Sequence, residues 1–248
     1  LNKTLAKKIK IKNKKIDIIT FTNVFAHINN LNELLDSLKI LLSNKTILVI
    51  ENHYLGSVIN KKQFDTFYHE HPRTYSLTSF LKISKRLNLY VNNFDFPKRY
   101  GGNIRVTLTN TDKKKKLEKK IITYEKNFYK KLINLGKFIE TWKTNKKKEI
   151  LKLNKKYGPL PAKAFPGRAA ILLKLLNLDK NNISSIYEKK NSKKIGYYAP
   201  GTKIPITSDI YLKRLDKNIP ILNLAWHIDK EIKKYRDTEI KLYEDIDV

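Results

Sequence analysis

IDIITFTNVFAHINNLNELLDSLKILLSNKTILVIE, residues 16–51, decides the fold. Its first seven residues, Ile16–Thr22, form a short β-branched run suited to a buried parallel strand. Leucines at 31, 34, 35, 38, 41 and 42 then recur at helical spacing. Thr46–Glu51 (TILVIE) reads as a second buried strand. Strand, helix, strand is the repeating unit of an α/β sheet.

Downstream, Leu77–Leu87 is again helical, with Ser76 or Thr78 available as its cap. Leu89–Phe96 and Ile104–Thr109 read as strands separated only by PKRYGGN, residues 97–103, so an antiparallel pair is expected. This order matches the second half of a doubly wound α/β domain. Residues 1–15 contain no glycine, so no Gly-rich phosphate-binding turn precedes it in this chain. An isolated half-sheet would leave a strand edge open, and the chain alone is expected to aggregate.

Residues 114–154 are rich in lysine, with apolar positions at 121, 122, 128, 132, 135, 138 and 139, and read as a bridging helix. Tyr157-Gly158-Pro159-Leu160-Pro161 breaks it. Then come a turn at Phe165-Pro166-Gly167-Arg168, a helix through Leu178 and a strand at Ile183–Glu188. A turn at Pro200-Gly201-Thr202, strands near 204–206 and 220–224, and a C-terminal helix from about His227 follow. Three parts are expected: the half-sheet domain over 1–112, the bridge over 113–156 and a smaller α/β domain over 157–248.

At 248 residues and 41% hydrophobic, the chain can bury a sizeable core. No apolar run is long enough to span a membrane, and no apolar block follows the basic start as in a secretory signal. The absence of cysteine excludes disulfides, thiolate catalysis and a Cys-based zinc site here, and makes a reduced cytoplasmic setting the default. The net charge of +29 comes from 45 lysines and only 7 arginines. With abundant Asn and Ile, that bias resembles the output of an AT-rich genome. It favours a solvated surface, including Lys113–Lys116, over a docking surface for an anionic partner. The chain starts at Leu1 and holds no methionine, which suggests a fragment of a longer protein.

Phe64-Asp65-Thr66-Phe67-Tyr68-His69-Glu70-His71-Pro72 concentrates the chemistry: a phenol, a carboxylate and two imidazoles in succession. These groups move protons near neutral pH. His27 and His53 lie at the carboxyl ends of the two expected strands, where α/β sheets bind ligands. Glu51, His53 and Tyr54 either line a pocket there or cap the strand. His69 and His71 would share one side of an extended segment, with Glu70 opposite. No further set of ligands accompanies the His-Glu-His run, so no metal is assigned.

Five elements occur in order: NVFAHI at 23–28, FDTFYHEH at 64–71, YGGNIRV at 100–106, FPGRAA at 165–170 and KIGYYAPGTKIPI at 194–206. Together they resemble the S-adenosylmethionine-dependent C-methyltransferases that act on nucleotide-linked sugars, over residues 16–235. That family implies a cysteine-ligated N-terminal zinc domain, a central Rossmann-type methyltransferase domain and a C-terminal α/β domain that helps hold the substrate. This chain lacks the zinc domain and the first strands of the central domain, which puts its binding of S-adenosylmethionine in question.

The implied chemistry is loss of a proton from a carbon beside a sugar ketone, then attack of the enolate on a sulfonium methyl group. The site needs a base, a group to steady the enolate oxygen and exclusion of water. The resemblance makes His71 the base, with Glu70 and Tyr68 in support, and places His27 at the enolate. Asn23 and Glu51 are assigned to the cofactor. Gly101 and Gly102 form a tight turn that approaches the site. Arg105 either faces an anionic substrate or is a solvated strand residue. Arg168 and its turn are placed to receive a phosphate, whereas Lys194 and Lys203 read as turn chemistry. Trp142 and Trp226 are assigned to packing. The implied partner is a nucleotide-linked keto-sugar. The alternatives are a non-sugar acceptor, or a basic α/β protein that binds nucleic acid or another polyanion.

Overall fold

In a computed structural model of the chain, which describes residues 1–111, 116–225 and 239–241, Ile18–Thr22 (β1) pairs in parallel with Ile47–His53 (β2). The crossover is Leu31–Leu41 (α2). The Asn30 side chain accepts from Glu33 N at 3.1 Å, satisfying one of the amides that a helix start leaves without a partner. Leu34, Leu35, Leu38 and Leu41 of α2 are buried. Asn103–Thr109 (β4) pairs antiparallel with β2, and Tyr90–Asp95 (β3) pairs antiparallel with β4. The sheet order is β1-β2-β4-β3. The short link between β3 and β4 therefore makes the antiparallel pair expected from sequence.

Strand alternation divides the sheet by chemistry. Leu48, Ile50, Ile104, Val106 and Leu108 join Phe25, Tyr75 and Phe80 in one apolar core. Glu51, His53, Asn103 and Arg105 occupy the opposite register. β1 departs from the buried strand that its apolar run implies. It is an edge in the sheet order, and Ile18 stays 60% exposed. A parallel strand is buried only with neighbours on both sides, and β2 is the neighbour that β1 has among the described residues.

Two short helices escape the sequence reading: Lys3–Lys12 (α1), which packs on α2 through Ala6, and Leu55–Asn60 (α3). Neither shows the leucine spacing of α2. Leu77–Arg86 (α4) starts at a reciprocal Ser76–Ser79 capping box. A second cap comes from far along the chain. In Lys116–Glu125 (α5), the Glu125 carboxylate accepts from Leu77 N and Thr78 N, each at 2.8 Å, from Thr78 Oγ1 at 2.5 Å and from Tyr54 Oη at 3.1 Å. Glu125→Ala strands those donors and is expected to cost about 2–4 kcal/mol. Urea unfolding should show a lower midpoint at constant slope, and an unchanged midpoint would remove this carboxylate from the supports of α4.

The lysine-rich segment is not one helix. It breaks after α5 and resumes as Phe128–Tyr157 (α6), inside which the two compact units, Leu1–Ile133 and Asn134–Val248, divide. Trp142 is buried, as expected for a packing residue. The second unit contains Leu160–Lys163 (β5), Ala169–Leu175 (α7), Ile183–Glu188 (β6), Ile206–Ser208 (β7), Ile221–Asn223 (β8) and Glu239–Lys241 (β9). Its strands are parallel in the order β7-β6-β5-β8-β9.

The central strand β5 falls where the sequence reads only a breaker. Pro161 cannot donate to a ladder, and the register against β6 shifts between Leu160 and Pro161 to accommodate it. β9 lies where a C-terminal helix is expected, while Trp226 and His227 lie outside the described residues. Residues 113–115 of the basic run also lie outside them. Among the described residues no helix is long and apolar enough to cross a membrane.

Candidate active site

His27, His53 and His71 meet at the carboxyl edge of β1 and β2. The His71 ring lies 4.6 Å from that of His27 and 5.9 Å from that of His53, centroid to centroid. The Tyr68 ring lies 4.5 Å from His71. Local bonds explain the convergence. Asn23 leaves β1 with φ of 53° while its N–H donates to Glu51 O at 2.8 Å, so the chain turns at the strand end into the 3₁₀ turn Phe25–His27. Two residues just beyond His71 bind the carbonyls that flank His27. Arg73 Nη1 donates to Ile28 O at 2.5 Å, and Tyr75 Oη donates to Phe25 O at 3.3 Å. Burial pushes the Tyr75 phenol up to about 12, so it remains a donor near neutrality.

Residues 68–71 form a turn rather than the extended segment expected, because His71 N donates to Tyr68 O at 2.8 Å. The turn sends His69 outward, 83% exposed in its side chain, and leaves His71 facing His27. Glu70 accepts from Tyr68 Oη at 3.0 Å, so this carboxylate orients the phenol beside His71. His71 Nδ1 lies 3.2 Å from Thr66 O. A carbonyl oxygen only accepts, so Nδ1 is the donor, and in the neutral ring that makes Nε2 the basic nitrogen.

A polar wall stands behind the imidazoles. Asn103 Nδ2 donates to Glu51 Oε1 at 2.9 Å and to Asn23 Oδ1 at 3.1 Å. Arg105 Nε donates to Glu51 Oε2 at 2.8 Å, and its Nη1 lies 3.5 Å from Asp95 Oδ2. Burial alone would raise the Glu51 carboxyl. The hydrogen bonds from Asn103 and Arg105, with the charges of Arg105 and Arg99, outweigh it and hold Glu51 below the usual carboxylate range. The bond to Glu51 correspondingly raises Arg105. Asn23, Glu51 and Arg105 are thus brought together, chiefly with one another as partners.

Gly101 and Gly102 form the expected tight turn, with φ of 84° and 128°. A Cβ on Gly101 would collide with the buried Gln63 carboxamide, and one on Gly102 with Ser57. Gln63, Asn103 and Tyr100 are site neighbours that the sequence reading did not single out. A residue preceding a Gly-Gly pair was the available signal for Tyr100. The structure also places the His53 ring beside that of His71. Among the described residues no group of three or more His, Cys, Asp or Glu side chains is arranged to hold a metal.

Arg168 belongs to the second unit, in the residue before α7. In its turn Phe165 N donates to Glu188 Oε1 at 2.8 Å, and Lys194 Nζ bonds Phe165 O. One backbone amide that was a candidate for a phosphate already faces a carboxylate.

A family model described as the C-methyltransferase C-terminal domain matches residues 98–241. The C-methyltransferase NovU of Streptomyces niveus is 33% identical over 82 residues, which are 33% of this chain and 20% of NovU. The chain therefore spans about a fifth of the length of that relative.

Proposed function

Because this chain belongs to the C-methyltransferase family, whose C-terminal domain covers more than half of it, we propose that its first unit activates the acceptor for C-methylation of a nucleotide-linked keto-sugar. The observation that carries the proposal is the convergence of the His27, His53 and His71 rings, with His71 Nδ1 seated on Thr66 O. The sheet order supports reading this unit as the second half of a Rossmann-type methyltransferase sheet.

His71 Nε2 takes the proton from the carbon beside the ketone. The C–H bonding pair becomes the enolate π bond, and negative charge moves to the ketone oxygen. His27 faces His71 and holds that oxygen. Tyr68, aimed by Glu70, packs the His71 ring in place. Gly101 and Gly102 let the turn that borders this site pack on Gln63 and Ser57. In the second unit, Arg168 is on its own a candidate for a phosphate group.

In the full reaction S-adenosylmethionine supplies the methyl group. Both Glu51 oxygens are engaged by Asn103 and Arg105, and the Asn23 side chain is bonded to Asn103.

Acceptor activation can be measured without a methyl donor. In D2O this chain should wash deuterium into the carbon beside the ketone of a nucleoside diphosphate keto-hexose, followed by NMR. Exchange no faster than in buffer, with the acceptor bound, would refute the enolisation.

A further inference from the structure

Tyr100 is held in a backbone conformation that side chains avoid, with φ of 51° and ψ of 35°, yet the residue is 59% exposed. A tyrosine gains nothing for the fold by standing there in water. Left-handed non-glycine residues persist where the surroundings force them, and they concentrate at ligand-contacting sites. The surroundings here do force it. Gly101 and Gly102 follow in the same half of conformational space, packed on Gln63 and Ser57 too closely for any Cβ. Gly102 N donates to Arg99 O at 2.8 Å and closes the turn around Tyr100. Gly102 O accepts from Tyr54 N at 3.2 Å, which fastens the loop to the residue after β2. The ring so presented lies 6.4 Å from that of His53, at 67°.

From this geometry we infer that Tyr100 is the acceptor-selecting residue of the site, its exposed face stacking on the C–H face of the sugar ring beside His53 and His71. The inference rests on the keto-sugar reading above. A rigid aromatic surface at the rim of a polar cluster suits a ring with one apolar face and outward hydroxyls. Tyr100 touches the acceptor and takes no part in the proton transfer, so it acts on binding.

Calorimetric titration of a nucleoside diphosphate 4-keto-hexose, and of the nucleoside diphosphate alone, into wild type, Tyr100→Phe and Tyr100→Gly separates the possibilities. Glycine is at ease at this φ, so Tyr100→Gly should melt no lower than wild type. It is expected to weaken the keto-hexose roughly fivefold, with Tyr100→Phe close to wild type. The nucleoside diphosphate should bind all three alike. Equal keto-hexose affinity in wild type and Tyr100→Gly overturns the inference. So does equal weakening of the nucleoside diphosphate, or failure of wild type to bind the keto-hexose. Tight binding without exchange overturns the role of His71 and leaves that of Tyr100 standing.

Discussion

His71→Gln should lower the deuterium-exchange rate on the keto-hexose by about 10³-fold, within the range that loss of a positioned base costs. Glutamine is close to histidine in length, but its carboxamide stands at the Nε2 position, so the part-buried bond from Nδ1 to Thr66 O is given up. The turn at residues 68–71 is closed by backbone, His71 N to Tyr68 O, and survives the change. What disappears besides that bond is the basic Nε2. The thermal midpoint should therefore fall only by what one hydrogen bond contributes, while the chemistry fails. His69→Gln is the matched control. It removes an imidazole two residues away that is 83% exposed and turned outward, so exchange should stay at the wild-type rate. Equal losses in the two variants would mean that the segment, and not the His71 base, is what matters. Near-full exchange by His71→Gln would hand the base role to His27 or His53, whose rings lie 4.6 and 5.9 Å away.

Much of the first sheet can be read directly because local and tertiary signals agree there. The run at Ile183–Glu188 in the second unit is likewise a strand from end to end. β5 is hidden for the opposite reason: Pro161 argues locally against a central strand, and only a register shift against β6 reconciles it. α1, ten residues like α4, is too weakly periodic to announce itself, and α3 with six is too short.

The site shows the same division. His71 and Tyr68 share one short motif, whereas His27 and His53 join it only through the parallel pairing of β1 and β2. That pairing follows from the strand–helix–strand pattern. The outward swing of His69 depends on one backbone hydrogen bond that composition does not reveal. The left-handed Tyr100 is harder still, because nothing in the residue type signals a positive φ. The Glu51–Arg105 pairing required the register of β2 against β4, in which these two residues stand directly opposite each other.

That pairing gives the second large effect. Glu51→Gln should destabilise the protein by about 2 kcal/mol near neutral pH. A carboxylate accepts on both oxygens, from Asn103 on one and Arg105 on the other. An amide can accept on one side only and turns an N–H toward the remaining donor. The fully buried Asn103 carries most of the cost, since Arg105 is 39% exposed in its side chain and can be rehydrated.

The pH dependence follows from the lowered Glu51 carboxyl. A depressed folded-state value means that the charged form stabilises the fold fully above the unfolded-state value of about 4.3. That stability is lost as pH falls below it toward the folded-state value. Wild type should therefore lose its advantage over Glu51→Gln between about pH 5 and pH 2, the difference shrinking toward zero. Urea midpoints of both proteins across that window measure it. A difference that persists undiminished in acid would mean that Glu51 supports the fold by shape alone. A difference that vanishes would tie the fold to the carboxylate charge. Acid would then also release Asn103 and, through it, Asn23, whose left-handed turn leads the chain toward His27.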